Sequence, residues 1–116
     1  MKIHLRAEGF ELTSELEKYA GSKIAQLTKR LPRSLRQLAD CEAVFLRGQA
    51  KGVRSNTCSL TLRVEGTELH ARETTQHMYA ALDIAAVYVE QELKEYLAKR
   101  RKQPVRSHLK RHFGAG

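Results

Sequence analysis

Residues Thr75–Lys102 read TQHMYAALDIAAVYVEQELKEYLAKRRK. Met78, Leu82, Ala85, Val89, Leu93 and Tyr96 recur at helical steps, which draws a single apolar stripe along a helix of period 3.6. Thr74 or Thr75 can cap its first turn, because a short side-chain oxygen accepts amide protons that lack a partner inside the helix. Lys99, Arg100, Arg101 and Lys102 follow the stripe, and Pro104 cannot continue it. A stripe this long needs a broad apolar surface to cover it. The rest of the chain supplies one.

Just upstream, Leu69 and Ala71 oppose Glu68, His70 and Arg72. Before them, Cys58, Leu60, Leu62 and Val64 alternate with Thr57, Ser59, Thr61, Arg63 and Glu65. Both runs have the period of half-buried strands, and Gly66-Thr67 is the expected tight turn between them. A further strand is expected over 37–47, with Ala39, Cys41, Ala43 and Phe45 on its apolar face. Residues 47–54 then read as a glycine-containing loop with three cations. At the start of the chain, Ile3, Leu5 and Ala7 alternate with Lys2, His4 and Arg6, predicting a strand over 2–7.

Between these strands lies a second helix, opened by Thr13 or Ser14, where Ser14-x-x-Glu17 has capping-box spacing. Leu16, Ala20, Ile24, Leu27 and Leu31 form its buried stripe, with Tyr19 and Lys23 beside it, and Pro32 ends it. Gly21 costs about 1 kcal/mol against alanine inside a helix, so it is expected to permit close packing on a neighbour. The order is β-α-β-β-β-α. The helical crossover makes strands one and two parallel, and strands two to four form an antiparallel meander. Each strand has one apolar face, so both helices cover the same side of a four-stranded mixed sheet. The fold class is α+β, a two-layer sandwich over 1–102, followed by a basic tail over 103–116 expected to be disordered. The sheet face carrying Thr57, Ser59, Thr61, Arg63, His70 and Arg72 is expected to stay wet.

The chain of 116 residues is long enough to bury a core without disulfides or metal. No apolar run approaches the ~18 residues of a membrane span, and MKIHLRAEGF lacks the apolar core of a signal peptide, so a cytoplasmic protein with no membrane partner is expected. Cys41 and Cys58 sit in strand-like runs without C-x-x-C spacing and are read as buried thiols. Charge placement carries more information than the net charge of +8. Between Lys18 and Ala39 there are six Lys/Arg and no acid, between Ala43 and Val64 four, and after Glu95 seven. Acid-free basic segments point to a polyanionic partner.

Catalytic and cofactor signatures are missing from the sequence. G-x-x-x-x-G-K-[ST], G-x-G-x-x-G, H-E-x-x-H and G-x-S-x-G do not occur. His108 and His112 share i,i+4 spacing, but on the basic tail, and Asp83 is read as a helix-dipole or capping residue. No enzymatic activity, cofactor, metal or small-molecule substrate is expected.

Several stretches together resemble the ribosome hibernation promoting factor and ribosome-associated inhibitor A family, also labelled sigma-54 modulation proteins. His70-Ala71 followed by Met78-Tyr79-Ala80-Ala81-Leu82-Asp83 resembles the family's strand-end HA and helix-start MYAAID pattern. Leu62-x-Val64-x-Gly66 resembles its hairpin, and Leu12-Thr13 with Leu16, Lys23 and Leu27 its first helix. The resemblance covers residues 1 to about 101 and keeps the element order. It implies a non-enzymatic factor, monomeric off the ribosome, that inhibits translation under stress or in stationary phase. Such a factor docks in the messenger and transfer RNA channel of the small ribosomal subunit and contacts ribosomal RNA. The chain departs from the pattern at Tyr88, Gln91 and Glu95, where the family's second helix carries Lys or Arg; Glu90 and Glu92 make that section acidic. The tail also stands in place of the dimer-forming domain of long family members; its cations could pair with phosphates, and Phe113 could stack on a base.

The candidate RNA contacts are therefore Lys18, Lys23, Lys29, Arg30, Arg33, Arg36, Arg47, Lys51, Arg54, Lys99, Arg100, Arg101 and Lys102. Lys23 alone also matches a basic position of the family. A general double-stranded-RNA module and a regulatory protein-binding domain are the alternatives, although the former begins with a helix and this chain begins with a strand.

Overall fold

The computed structural model describes residues 1–102. The expected tail over 103–116, with His108, His112 and Phe113, lies outside them. The chain forms β1 (Lys2–Glu8), α1 (Ser14–Arg30), α2 (Arg33–Arg36), β2 (Asp40–Ala50), β3 (Val53–Val64), β4 (Thr67–Thr75) and α3 (Met78–Lys102). The sheet order is β1-β2-β3-β4, with β1 parallel to β2 and the other neighbours antiparallel. The expected α+β sandwich is present, with one helical turn, α2, added in the basic connection.

Its core is the set of side chains that periodicity selected. Leu16, Ala20, Ile24 and Leu27 from α1, with Leu31 just past its end, meet Cys41, Ala43, Phe45, Cys58, Leu60, Leu62 and Val64 from the sheet, all buried. Met78, Leu82, Ala85, Val89 and Leu93 of α3 close the layer, while Tyr96 is half-buried at its rim. Both cysteines are free and buried. Loss of hydration pushes both thiols up to about 12, because a thiolate in an apolar layer has nothing to solvate it.

Several local expectations are corrected. The first helix is capped by Thr13, one of the two residues expected to open it, whose Oγ1 accepts from the Leu16 amide at 3.1 Å; what is corrected is the Ser14 capping box, since the cap sits one residue before it. Thr75 does not cap α3. It closes a turn ahead of the helix, accepting at Oγ1 from the His77 amide at 3.0 Å, while Thr74 pairs with Thr57 across the sheet. Gly21 supports no close approach, since a Cβ there would meet nothing within 4 Å. The β3–β4 turn is Glu65-Gly66, with φ of 53° and 76°, the left-handed pair of a two-residue hairpin, one residue earlier than expected.

The largest correction concerns residues 47–54. They are no loop. β2 and β3 continue as a ladder through Arg47↔Asn56, Gly48↔Ser55, Gln49↔Arg54 and Ala50↔Val53, turned by Lys51 and Gly52 at φ of 54° and 79°. β1 ends opposite Leu46, and β4 ends opposite Asn56. The last rungs are therefore a two-stranded arm that runs past both edge strands.

The open face is less wet than expected. Thr57 and Thr61 are only 7% and 9% exposed, because the flanking strands lay side chains over them. Thr57 Oγ1 and Thr74 Oγ1 are 2.8 Å apart, and Thr61 Oγ1 lies 2.8 Å from His70 Nδ1. Arg63 stands between Asp40 at 3.1 Å, Glu68 at 3.2 Å and Glu42 at 3.6 Å. Register makes this cluster: Asp40 and Glu68 are the cross-strand neighbours of Arg63.

Candidate nucleic-acid interface

Topology brings most of the candidate cations to two places. A parallel β1–β2 pair puts the C-terminal end of α1, the start of β2, the β3–β4 turn and the C-terminal end of α3 at one end of the sandwich. The β2–β3 arm leaves from the other. Residues separated by about seventy positions in sequence thus meet: Arg30, Pro32, Leu97, Arg100 and Arg101 line one cleft of ≈ 300 Å³. Lys29, Arg33 and Lys99 flank it in the chain and are exposed.

Not all of the expected RNA contacts are equally available. Arg30 donates to Glu90 Oε1 at 3.4 Å, and Lys94 lies 3.5 Å from the same oxygen. Arg100 donates to Glu65 Oε1 at 2.7 Å, and Tyr96 also donates its hydroxyl proton to that carboxylate. Arg36 is turned inward. Its Nε donates to the carbonyls of Thr28 and Leu31 at 3.1 and 3.0 Å, satisfying the orphan acceptors at the end of α1. Lys23 pairs with Asp83 at 3.2 Å and lies over the Tyr19 ring. Lys18 is exposed on the second turn of α1, apart from both cationic ends. Lys29, Arg33, Lys51, Arg54, Lys99 and Arg101 are exposed and have no ion pair among the described residues. For Lys102 the backbone alone is described, as the last residue of α3.

Asp83 has a role that its sequence position did not suggest. It accepts from Tyr19 at 2.7 Å and from Lys23, tying α3 to α1, and the Tyr19 and Tyr79 rings pack edge-to-face at 4.9 Å. These contacts raise the pKa values of both Tyr19 and Lys23, chiefly through the hydrogen bond to Asp83. Midway along α3 the outward face is uncharged or acidic: Tyr88 is 48% and Val87 55% exposed, beside Gln91 and Glu95. Tyr88, Gln91, Glu92 and Glu95 form one wall of a groove of ≈ 470 Å³, with His70, Ala71, Arg72 and Glu73 as the other. Most of the candidate cations therefore lie toward the two ends, with Lys18 and Lys23 on α1 between them.

Sequence reasoning missed the residues that fix the arm. Arg47 lies 4.3 Å over the Phe10 ring and donates from Nε to Asn56 Oδ1 at 3.0 Å. Asn56, 2% exposed, donates in turn to the Gln76 carbonyl at 2.8 Å. A two-residue turn flanked by alternating positions was a usable signal, but Lys51-Gly52 stands where Asn-Gly would have announced it.

The fold on which these cations are displayed is a two-layer α+β sandwich, with a four-stranded mixed sheet and both long helices on one face. Residues 3–101 match the family described as Sigma 54 modulation protein / S30EA ribosomal protein, and the chain belongs to that family. Among solved structures its fold is similar to the Protein Y N-terminal domain of Thermus thermophilus, with a TM-score of 0.68 and 21% identity over 83% of this chain and 99% of that one. It is also similar to a ribosomal subunit interface protein from Coxiella burnetii, with a TM-score of 0.67 and 19% identity over 85% of this chain and 100% of that one. No curated protein matches the sequence.

Proposed function

We propose that this protein is a ribosome hibernation factor that inhibits translation by occupancy. It docks on the small subunit, in the channel that messenger and transfer RNA would use, and grips ribosomal RNA phosphates through its cationic ends. No bond is made or broken. The protein works in the cytoplasm, where ribosomes are, and is a monomer when free. The observation that carries this reading is the meeting of Arg30 with Arg100 and Arg101 in one cleft, flanked in the chain by exposed Lys29, Arg33 and Lys99, in a member of the S30EA ribosomal protein family. Cations gathered on one surface release condensed counterions when they meet a polyphosphate, which gives affinity without base reading.

The test is sedimentation of purified small subunits with the protein through sucrose at two salt concentrations. Wild type is expected to co-migrate, with affinity falling steeply as salt rises. Lys29→Glu/Arg33→Glu/Lys99→Glu/Arg101→Glu reverses only cations free of ion pairs among the described residues and is expected to stay at the top of the gradient. Arg36 is left intact because it holds the end of α1. Unaltered binding by the folded variant would overturn the reading. Equal affinity for any duplex RNA would make it a general RNA module.

A further inference from the structure

The β2–β3 arm makes no contribution to the core, yet its root is more tightly held than such an extension requires. Arg47 is stacked on Phe10 and donates to Asn56 Oδ1, and Asn56 Nδ2 donates to the Gln76 carbonyl. Three connections are joined there: the loop after β1, the arm itself, and the turn before α3. Gly9 lies against the same place, with its φ at 87° and a hypothetical Cβ only 2.2 Å from the Arg47 carbonyl oxygen. Backbone and side chain together set the arm's direction.

The two faces of the arm differ. Pairing and strand alternation put Arg47, Gln49 and Arg54 on the face continuous with Asn56 and Cys58, the side that the helices cover lower down. Gly48, Val53 and Ser55 occupy the opposite face, without a charge. Lys51 is at the tip, and Lys51, Arg54 and Gln49 are all exposed. A charged face, a plain face and a fixed root describe a contact element rather than a surplus loop.

We infer that the arm is a preorganised ribosomal RNA contact, separate from the cationic end built by α1 and α3, in which Arg47, Arg54 and Lys51 meet phosphates on the helix-side face and tip. This deepens the ribosome-binding reading and rests on it. The fixed root means that little chain entropy is lost when the arm docks, so its cations count almost fully toward affinity. It also makes the protein bivalent: each end holds one RNA segment while the other finds its own.

The experiment measures binding of the full chain to purified small subunits as a function of salt. Lys51→Ala/Arg54→Ala is expected to weaken binding roughly ten-fold for each cation removed. It should also flatten the log–log salt dependence by about 0.7–0.9 for each cation. Val53→Ser/Ser55→Ala, on the plain face, is expected to leave both unchanged. Asn56→Ala alters no charge; loosening the root, it should lower affinity while the salt slope stays as in wild type. Since Asn56→Ala can unfold the chain, a second variant replaces 48–55 by Asn-Gly, closing a hairpin at Arg47–Asn56 and removing the arm alone; it should lose at least as much affinity as the double alanine. Arm variants that bind like wild type would overturn the inference and leave the function standing. Wild type failing to bind subunits would overturn both.

Discussion

The Nζ of Lys23 on α1 lies 3.2 Å from Oδ1 of Asp83 on α3, and the same oxygen accepts the Tyr19 hydroxyl at 2.7 Å. Lys23, a candidate RNA contact, is thus also a tie between the two helices. Its charge is available to RNA only in competition with Asp83.

Asp83→Asn should expose that competition. Losing the charged partner of a partly solvated pair costs about 0.5–1 kcal/mol. For a domain of this size that lowers the thermal midpoint by about 2–8 °C. The raised Lys23 pKa contributes stability that is fully present below the unfolded value near 10.4 and is lost only as pH climbs through the higher folded value. The deficit should therefore be constant between pH 6 and 9. In the subunit-binding assay the freed Lys23 is expected to steepen the salt dependence by about 0.7–0.9.

Glu65 should set part of the acid sensitivity. The Arg100 guanidinium, and after it the Tyr96 hydroxyl, hold its carboxyl below the usual carboxylate range. A depressed folded value contributes stability above the unfolded pKa near 4.3 and loses it as pH falls through the folded one. Glu65→Gln should melt below wild type at pH 7, and the gap should close toward pH 3 in thermal unfolding followed by circular dichroism.

Two glycines should respond in opposite directions. Gly9→Ala drives a Cβ into the Arg47 carbonyl oxygen at 2.2 Å from a left-handed backbone, so it is expected to cost more than about 2 kcal/mol. Gly21 lies inside α1 with open space around it, and Gly21→Ala should stabilise by about 0.5–1 kcal/mol. Chemical denaturation of both variants checks the pair.

Cys41 and Cys58 should be inert in the native protein at pH 8. A thiol pushed up to about 12 supplies almost no thiolate, and both side chains are 0% exposed. A thiol reagent should titrate both at once in guanidinium and neither without it. Fast labelling of the native chain would contradict this burial.

Deep in the same layer, Phe45 is fully buried, and Phe45→Ala should cost about 3–5 kcal/mol through forfeited transfer energy and the cavity left behind. Urea unfolding, read as a shift of midpoint at unchanged slope, measures it.

The layers follow from residue periodicity alone. The stripes Leu16–Leu31 and Met78–Leu93, and the alternation through Cys58–Val64, define apolar faces that can be buried in one way, and burial of those faces dominates the folding energy. Local pattern also carried the element order and the family resemblance at Met78–Asp83. It did not carry register, because one strand does not reveal which residues will stand opposite it. Only the tertiary structure shows that Arg63 is enclosed by Asp40, Glu42 and Glu68, and that Arg36 serves carbonyls at the end of α1. Only there does a run read as a loop become an arm braced by Phe10, Asn56 and Gln76. A charge counted along the chain is a potential contact. Its neighbours across strands and helices decide whether it remains free, because electrostatic partners are chosen by distance in space.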